Sequence, residues 1–193
     1  MPTGVAIRDV REQLFAAAER ILLRAGPGAL TSRAVTAEAG CAKGVLHRHF
    51  ADFDAFLAEL IRERTAALEG SGLRLWDAAG IGTVTNNVTG ALLDLFASMA
   101  PRVVALVIGR DELRARLQPG GGLPMLNEGS RMIAEYLAAE RDLGRLDAGT
   151  DVSAAAVALV GGVHLLYAGQ DNPLVEDEAV LRIVTTILAG HLR

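Results

Sequence analysis

The residue types most suggestive of chemistry crowd into the stretch from Thr31 to Phe50. It holds Arg33, Arg48, the hydroxyls of Thr31 and Ser32, the imidazole of His47, and Lys43, which is the only lysine in the chain. Cations and short hydroxyls at this density suit a polyanion. Guanidinium and ammonium groups neutralise phosphates, and hydroxyls at a helix start add hydrogen bonds to phosphate oxygens. The same stretch does not suit catalysis. The chain has no HExxH, no P-loop and no GxSxG, and no helix face collects an acid–base pair with a histidine. His47 and His49 are two apart, so a helix points them in different directions and no shared metal is expected. Cys41 is the only cysteine. It excludes an intramolecular disulfide and a multi-cysteine zinc site, and it reads as a small core hydrophobe. No enzyme activity, cofactor or metal is expected.

Two short helices are needed to position these groups. Thr31 or Ser32 caps the first, which ends at Ala39; Gly40 supplies the tight turn, and the second spans about Lys43 to His49. Val35, Ala39, Cys41 and Leu46 fall on inward positions, and small side chains at 36 and 39 let the helices cross closely. This is the logic of a helix-turn-helix, whose second helix lies in the DNA major groove. The expected DNA contacts are Thr31, Ser32, Arg33, Lys43, Gly44, Val45, His47 and Arg48.

The rest of the 193 residues must support that motif. Apolar residues make up 51 % and charged residues 22 %, enough for a sizeable core and against disorder. Helical periodicity runs almost throughout and predicts an all-α chain of about nine helices. The first runs from about Asp9, paired with Glu12 as a cap, to Ala25, before Gly26-Pro27-Gly28. Asp52 caps a long helix to about Leu68, where Gly70 and Gly72 punctuate it. Further helices are expected over 83–100, from Pro101 onward, over 126–141, over 152–168 behind Asp151, and over 174–191 behind Asn172-Pro173. Gln118 to Pro124 is the clearest loop. The predicted domains are 1–52 and 53–193.

Residues 1–65 carry 9 basic and 8 acidic side chains, whereas residues 66–193 carry 10 and 15, giving the net −4 of the chain. The relatively basic third is the one with the motif. The most apolar run, Ala154 to Gly169, is shorter than a bilayer span and contains Gly161, Gly162 and His164, so a buried helix is expected. Met1-Pro2-Thr3-Gly4 lacks the pattern of a secretory signal. The expectation is a cytoplasmic protein with no membrane partner.

From Leu14 to Leu57 the sequence resembles, without a gap, the TetR (tetracycline-repressor-like) transcriptional regulators. The resemblance is carried by Leu14-Phe15-Ala16-Ala17-Ala18, Ile21-Leu22, Gly26, the helix-turn-helix, and Phe50-Ala51-Asp52. It implies an N-terminal three-helix DNA-binding domain and a C-terminal helical domain for ligand binding and dimerisation. It further implies a homodimer, most simply a repressor, on a pseudo-palindromic double-stranded operator, released by a small apolar effector. The long fourth helix would connect the two domains. Under that resemblance the pocket candidates are Trp76, Phe96, Met99, Met132, Tyr136 and His164. The last two helices would pair with the partner chain through Ala158, Gly161, Gly162, Val180, Ile183, Val184 and Ile187. The sequence departs from the family pattern at Thr36, Cys41, His47 and Phe53. His47 stands where a phosphate-binding tyrosine is usual, and Phe53 where a phosphate-binding lysine is usual. These two motivate a second reading: a helical small-molecule-binding or interaction protein of the same fold, with weak or no sequence-specific DNA binding.

Overall fold

The structure, a computed structural model, describes residues 7–97, 99–117, 123–168 and 177–193, with side chains from residue 10 onward. Among these, all regular structure is helical apart from an isolated bridge between Leu146 and Leu192. The α-helices are α1 (Ile7–Ala25), α2 (Ser32–Glu38), α3 (Gly44–His49), α4 (Phe53–Ala67), α5 (Glu69–Asp77), α6 (Val84–Ala97), α7 (Ala100–Ile108), α8 (Asp111–Leu117), α9 (Pro124–Asp142), α10 (Val152–Tyr167) and α11 (Asp177–Leu188). A 3-10 turn, Pro27–Ala29, follows α1.

There are two more α-helices than the periodicity predicts. The long fourth helix is divided at Leu68, where i→i−3 bonds (Leu68 N to Thr65 O, 3.0 Å; Ser71 N to Leu68 O, 2.9 Å) tighten the backbone before α5 resumes. Gly70 and Gly72 therefore lie inside α5 rather than ending a helix. Gly72 is a contact residue: a Cβ there would sit 2.8 Å from Met132 Cγ. The second addition is α8, which starts with Asp111 and Glu112, acidic side chains that favour a helix N-terminus. Pro101 falls at the second position of α7, and Thr83 caps α6 by accepting from Asn86 N at 3.2 Å. The expected Asp9–Glu12 cap, the Asn172-Pro173 start and most of the 118–124 loop lie outside the described side chains or residues. No single helix among the described residues is long and apolar enough to cross a membrane.

The chain forms two compact units. The first gathers α1 to α3, α4 as far as Glu63, and the stretch from Arg102 through α8. The expected boundary at 52/53 thus falls inside it. Its core is built on three aromatic rings. Phe15 lies 5.8 Å from Phe50 and 5.4 Å from Phe56, and Phe50 meets Phe56 edge-on at 5.0 Å. Leu14, Leu22, Leu30, Val35, Leu46 and Leu57 close around them, all 2 % exposed or less.

The second unit contains α5, α6, α9, α10 and α11. Its interior includes one carboxylate, Glu140, which is fully buried. Tyr136 Oη–H donates to Glu140 Oε1, Gly80 N–H donates to the same oxygen at 3.3 Å, and Arg145 Nη1 lies 3.1 Å from Oε2. Asn87 Nδ2 donates to Tyr136 Oη at 2.9 Å. Burial, and then the bond to Glu140, push the Tyr136 phenol well above its usual value, so it remains a neutral donor. Arg145 reaches this site because α9 ends in a left-handed Gly144 (φ 76°), with Gly144 N bonded to Arg141 O and Arg145 N to Glu140 O. Arg145→Met strands a buried carboxylate and is expected to destabilise the unit by about 3–5 kcal/mol, whereas Arg145→Met with Glu140→Leu recovers most of the loss. Denaturant midpoints of the two variants against wild type check this.

Candidate DNA-contact face and ligand cavity

The helix-turn-helix is held by local bonds that its residue types dictate. Thr31 Oγ1 accepts from Ala34 N at 3.1 Å and caps α2. Thr36 is buried, and its hydroxyl donates back to Ser32 O (3.0 Å) and Arg33 O (3.2 Å). Gly40 takes φ 66°, with Gly40 N bonded to Ala37 O and Cys41 N to Thr36 O, so the turn is a helix C-cap that only glycine enters without strain. Cys41 is half-buried, its Sγ 3.5 Å from Ala39 O. Leu46 is fully buried and anchors α3. Glu38, at the end of α2, is gripped by two arginines of α1: Arg20 Nε at 2.9 Å and Arg24 Nη2 at 2.9 Å.

This scaffold presents a groove between α2 and α3 lined by Ser32, Arg33, Thr36, Lys43, Gly44 and His47. Thr31, Arg33, Lys43, Gly44, His47 and Arg48 are exposed, while Ser32 and Val45 are half-buried. The eight expected contacts thus fall on one compact motif, five of them around the groove. Arg33, Lys43 and Arg48 form no ion pair among the described residues, whereas Arg11, Arg20, Arg24, Arg110 and Arg116 each hold a carboxylate. Unpaired cations on one face leave an electropositive surface fit for phosphates. Phe53 stacks on Phe56 at 5.7 Å, and the Arg110 guanidinium sits 5.5 Å from its ring while paired to Asp54 at 2.8 Å. Asp52 caps α4 through Ala55 N (2.8 Å) and pairs with Arg116 at 2.7 Å.

Within the second unit, α5, α6 and α9 line a half-open cavity of about 300 Å³, with Arg74, Asn86, Gly90 and Asp94 at its exposed side. Met132 lines it, alone among the six expected pocket residues. Trp76 is 56 % exposed and lies in a separate open groove with Leu73, Glu128, Arg131 and Glu135. Tyr136 is fully buried in the Glu140 network. Phe96 is buried and stacks on Tyr167 (5.2 Å) and His164 (6.1 Å). His164 Nδ1 is enclosed without a partner, and burial lowers its pKa, favouring the neutral ring. Met99 is half-buried outside the cavity lining. Sequence reasoning missed Ser71, Arg74, Asn86, Asn87, Gly90 and Asp94, all of which line the cavity. Their signal was phase: 71, 74, 75 and 78 share one face of α5, and 86, 87, 90, 91, 94 and 95 one face of α6.

On the last two helices Ala158 and Gly161 are exposed, with Val157 (64 %) and Leu165 (73 %) beside them. Gly162 packs inward, its Cβ position 3.3 Å from Ile183 Cγ2, and Ile183 and Ile187 are half-buried. Val180 and Val184, expected on an interface, are instead fully buried in the chain's own core. The apolar stripe of α11 is taken up by its own unit, which leaves Leu181 and polar residues outward.

Residues 14–60 match the family model described as bacterial regulatory proteins, tetR family. No curated protein matches the chain. Among solved structures, Escherichia coli NemR in its reduced form is 15 % identical over 95 % of this chain and 97 % of that one, with a TM-score of 0.71. A TetR transcription regulator from Haloarcula marismortui is 14 % identical over 97 % and 100 %, TM-score 0.71. The transcriptional regulator FadR from Bacillus subtilis, in complex with stearoyl-CoA, is 18 % identical over 90 % and 96 %, TM-score 0.66. The fold of the chain is the TetR-regulator fold, and residues 14–60 form its tetR-family helix-turn-helix domain.

Arg24 and then Arg20 hold the Glu38 carboxyl below its ordinary value of 4.5. A depressed carboxylate contributes stability that is fully present above its unfolded value and is lost as the pH falls through the folded value. Glu38→Gln is therefore expected to be less stable than wild type above pH 4.5, with the gap closing on further acidification. Chemical denaturation across pH 3–7 reads the difference; a gap independent of pH refutes the assignment.

Proposed function

We propose that this chain, carrying a tetR-family domain at residues 14–60, is a ligand-responsive DNA-binding transcriptional regulator. It acts as a cytoplasmic homodimer, without catalysis, and represses from a pseudo-palindromic operator. The observation that carries the reading is the exposed, unpaired set of Arg33 and Lys43 in the α2–α3 groove and Arg48 on α3. Thr31, Ser32 and His47 add hydrogen-bonding groups beside it, and Gly44 and Val45 allow close approach at the start of α3.

One six-residue recognition helix offers few contacts, so two-fold doubling is the mechanistic expectation, with half-sites about 34–36 Å apart. The exposed apolar face of α10, formed by Val157, Ala158, Gly161 and Leu165, is the partner surface this reading assigns, with Gly162, Ile183 and Ile187 at its edge. The α5–α6–α9 cavity holds the effector. Its volume of about 300 Å³ sits at the lower end for ligand sites, which favours a small, partly apolar molecule. The chain runs from α4 through Leu68 into α5, and Leu68 with Ser71 and Leu75 of α5 walls the cavity. An effector need only favour a dimer with a different recognition-helix spacing to release the operator.

Phe53 favours the second reading, a ligand-binding protein of this fold with weak DNA affinity. Its ring is packed between Phe56 and Arg110 and offers a phosphate no cation.

Selection of bound fragments from a random duplex library, at low and near-physiological salt, separates the two. The expected result is an inverted repeat that survives the higher salt. On that repeat, Lys43→Ala should weaken binding and reduce the salt slope by about 1. Lys43→Ala with Arg48→Ala should abolish sequence-specific binding while the dimer persists by light scattering. A double variant that binds like wild type overturns the site.

A further inference from the structure

We propose that the α5–α6–α9 cavity takes a small zwitterion, an α-amino-acid-like molecule with an apolar side chain, its carboxylate on Arg74 and its ammonium on Asp94. This names the ligand class of the effector site and rests on that reading. Both charges line the same cavity, Arg74 from α5 and Asp94 from α6. They form no ion pair with each other or with any other described residue. Elsewhere in the unit, Arg131, Arg145, Arg182 and Arg193 each hold a carboxylate.

Arg74 is also pre-positioned. Its Nη1 donates to Gly70 O at 3.0 Å and its Nη2 to Ser71 Oγ at 2.7 Å. Two of five N–H groups are thereby used in holding the guanidinium to its own helix, and the others remain for a ligand. The same lining carries the apolar side chains of Leu68, Leu75, Ala91, Leu95 and Met132. A simple carboxylate in this space meets Arg74 but also Asp94, and a simple amine meets the reverse. A wholly apolar ligand leaves both exposed charges unmatched. A zwitterion meets both at once, and its side chain lies on the apolar part of the lining. Gly90 completes the wall. A Cβ there meets nothing within 4 Å, so the helix leaves this side of the cavity open at the cost of a helix-weakening residue.

The full-length protein is titrated by calorimetry with L-leucine and L-phenylalanine, and with the analogues of each that lack the amino or the carboxyl group: 4-methylpentanoate, 3-methylbutylamine, 3-phenylpropionate and 2-phenylethylamine. At least one amino acid should bind tenfold or more tightly than both of its analogues. Asp94→Asn should shift preference toward the carboxylate analogue and Arg74→Gln toward the amine, with unliganded melting temperatures unchanged. Gly90→Leu, which fills the cavity, should abolish binding. An analogue bound as tightly as its parent, selectivity unmoved by Asp94→Asn and Arg74→Gln, or no binding by any of the six overturns the zwitterion. An analogue that binds and is blocked by Gly90→Leu leaves the cavity as the effector site while the ligand class fails. An amino acid whose binding ignores Gly90→Leu removes both.

Discussion

A helix of six residues cannot sustain itself in water, because nucleation fixes several residues before any hydrogen bond is gained. The recognition element α3 therefore depends on two burials: Leu46 beneath it and Phe50 just past its end. Phe50 joins Phe15 of α1 and Phe56 of α4, with ring centroids 5.0–5.8 Å apart, so the end of α3 is tied to both helices through one aromatic cluster. Arg11 lies over the Phe50 ring at 4.7 Å while paired to Glu59, closing the cluster with a cation. The outward side chains of α3 owe their aim to this inward anchoring.

Arginine dominates the basic residues, and many of them are matched to a carboxylate. Several arginines tie elements together or neutralise the core: Arg20 and Arg24 bind α1 to α2 through Glu38, Arg110 and Arg116 bind the start of α4 through Asp54 and Asp52, and Arg145 neutralises the buried Glu140. An arginine whose charge is already matched contributes little field at the surface. Arg33, Lys43 and Arg48 on one motif, and Arg74 in one cavity, are without a carboxylate partner, as are Arg62 and Arg102. Those positions retain an electrostatic demand that a phosphate or a carboxylate can meet.

The second unit shows why apolar residue type is a poor guide to a pocket. Tyr136, an apparent pocket side chain, spends its hydroxyl on Glu140 and Asn87. Phe96 spends its ring on Tyr167 and His164. Large side chains fill space and make cores; a cavity survives where small and polar residues meet, as at Gly90, Ala91, Ser71 and Asn86.

Helix content, the caps at Thr31 and Asp151, the turn at Gly40 and the outward set of the helix-turn-helix were legible in the sequence. All of these rest on interactions within a few residues, which local spacing encodes. The tertiary structure decided the rest. It turned Val180 and Val184 into the core, left Trp76 exposed, divided the long helix at Leu68, and brought Arg74 and Asp94 to one cavity. Each outcome depends on the rotation of a helix about its own axis against its neighbours. Packing of the whole unit sets that rotation, and an apolar stripe in one helix carries no record of which partner will cover it.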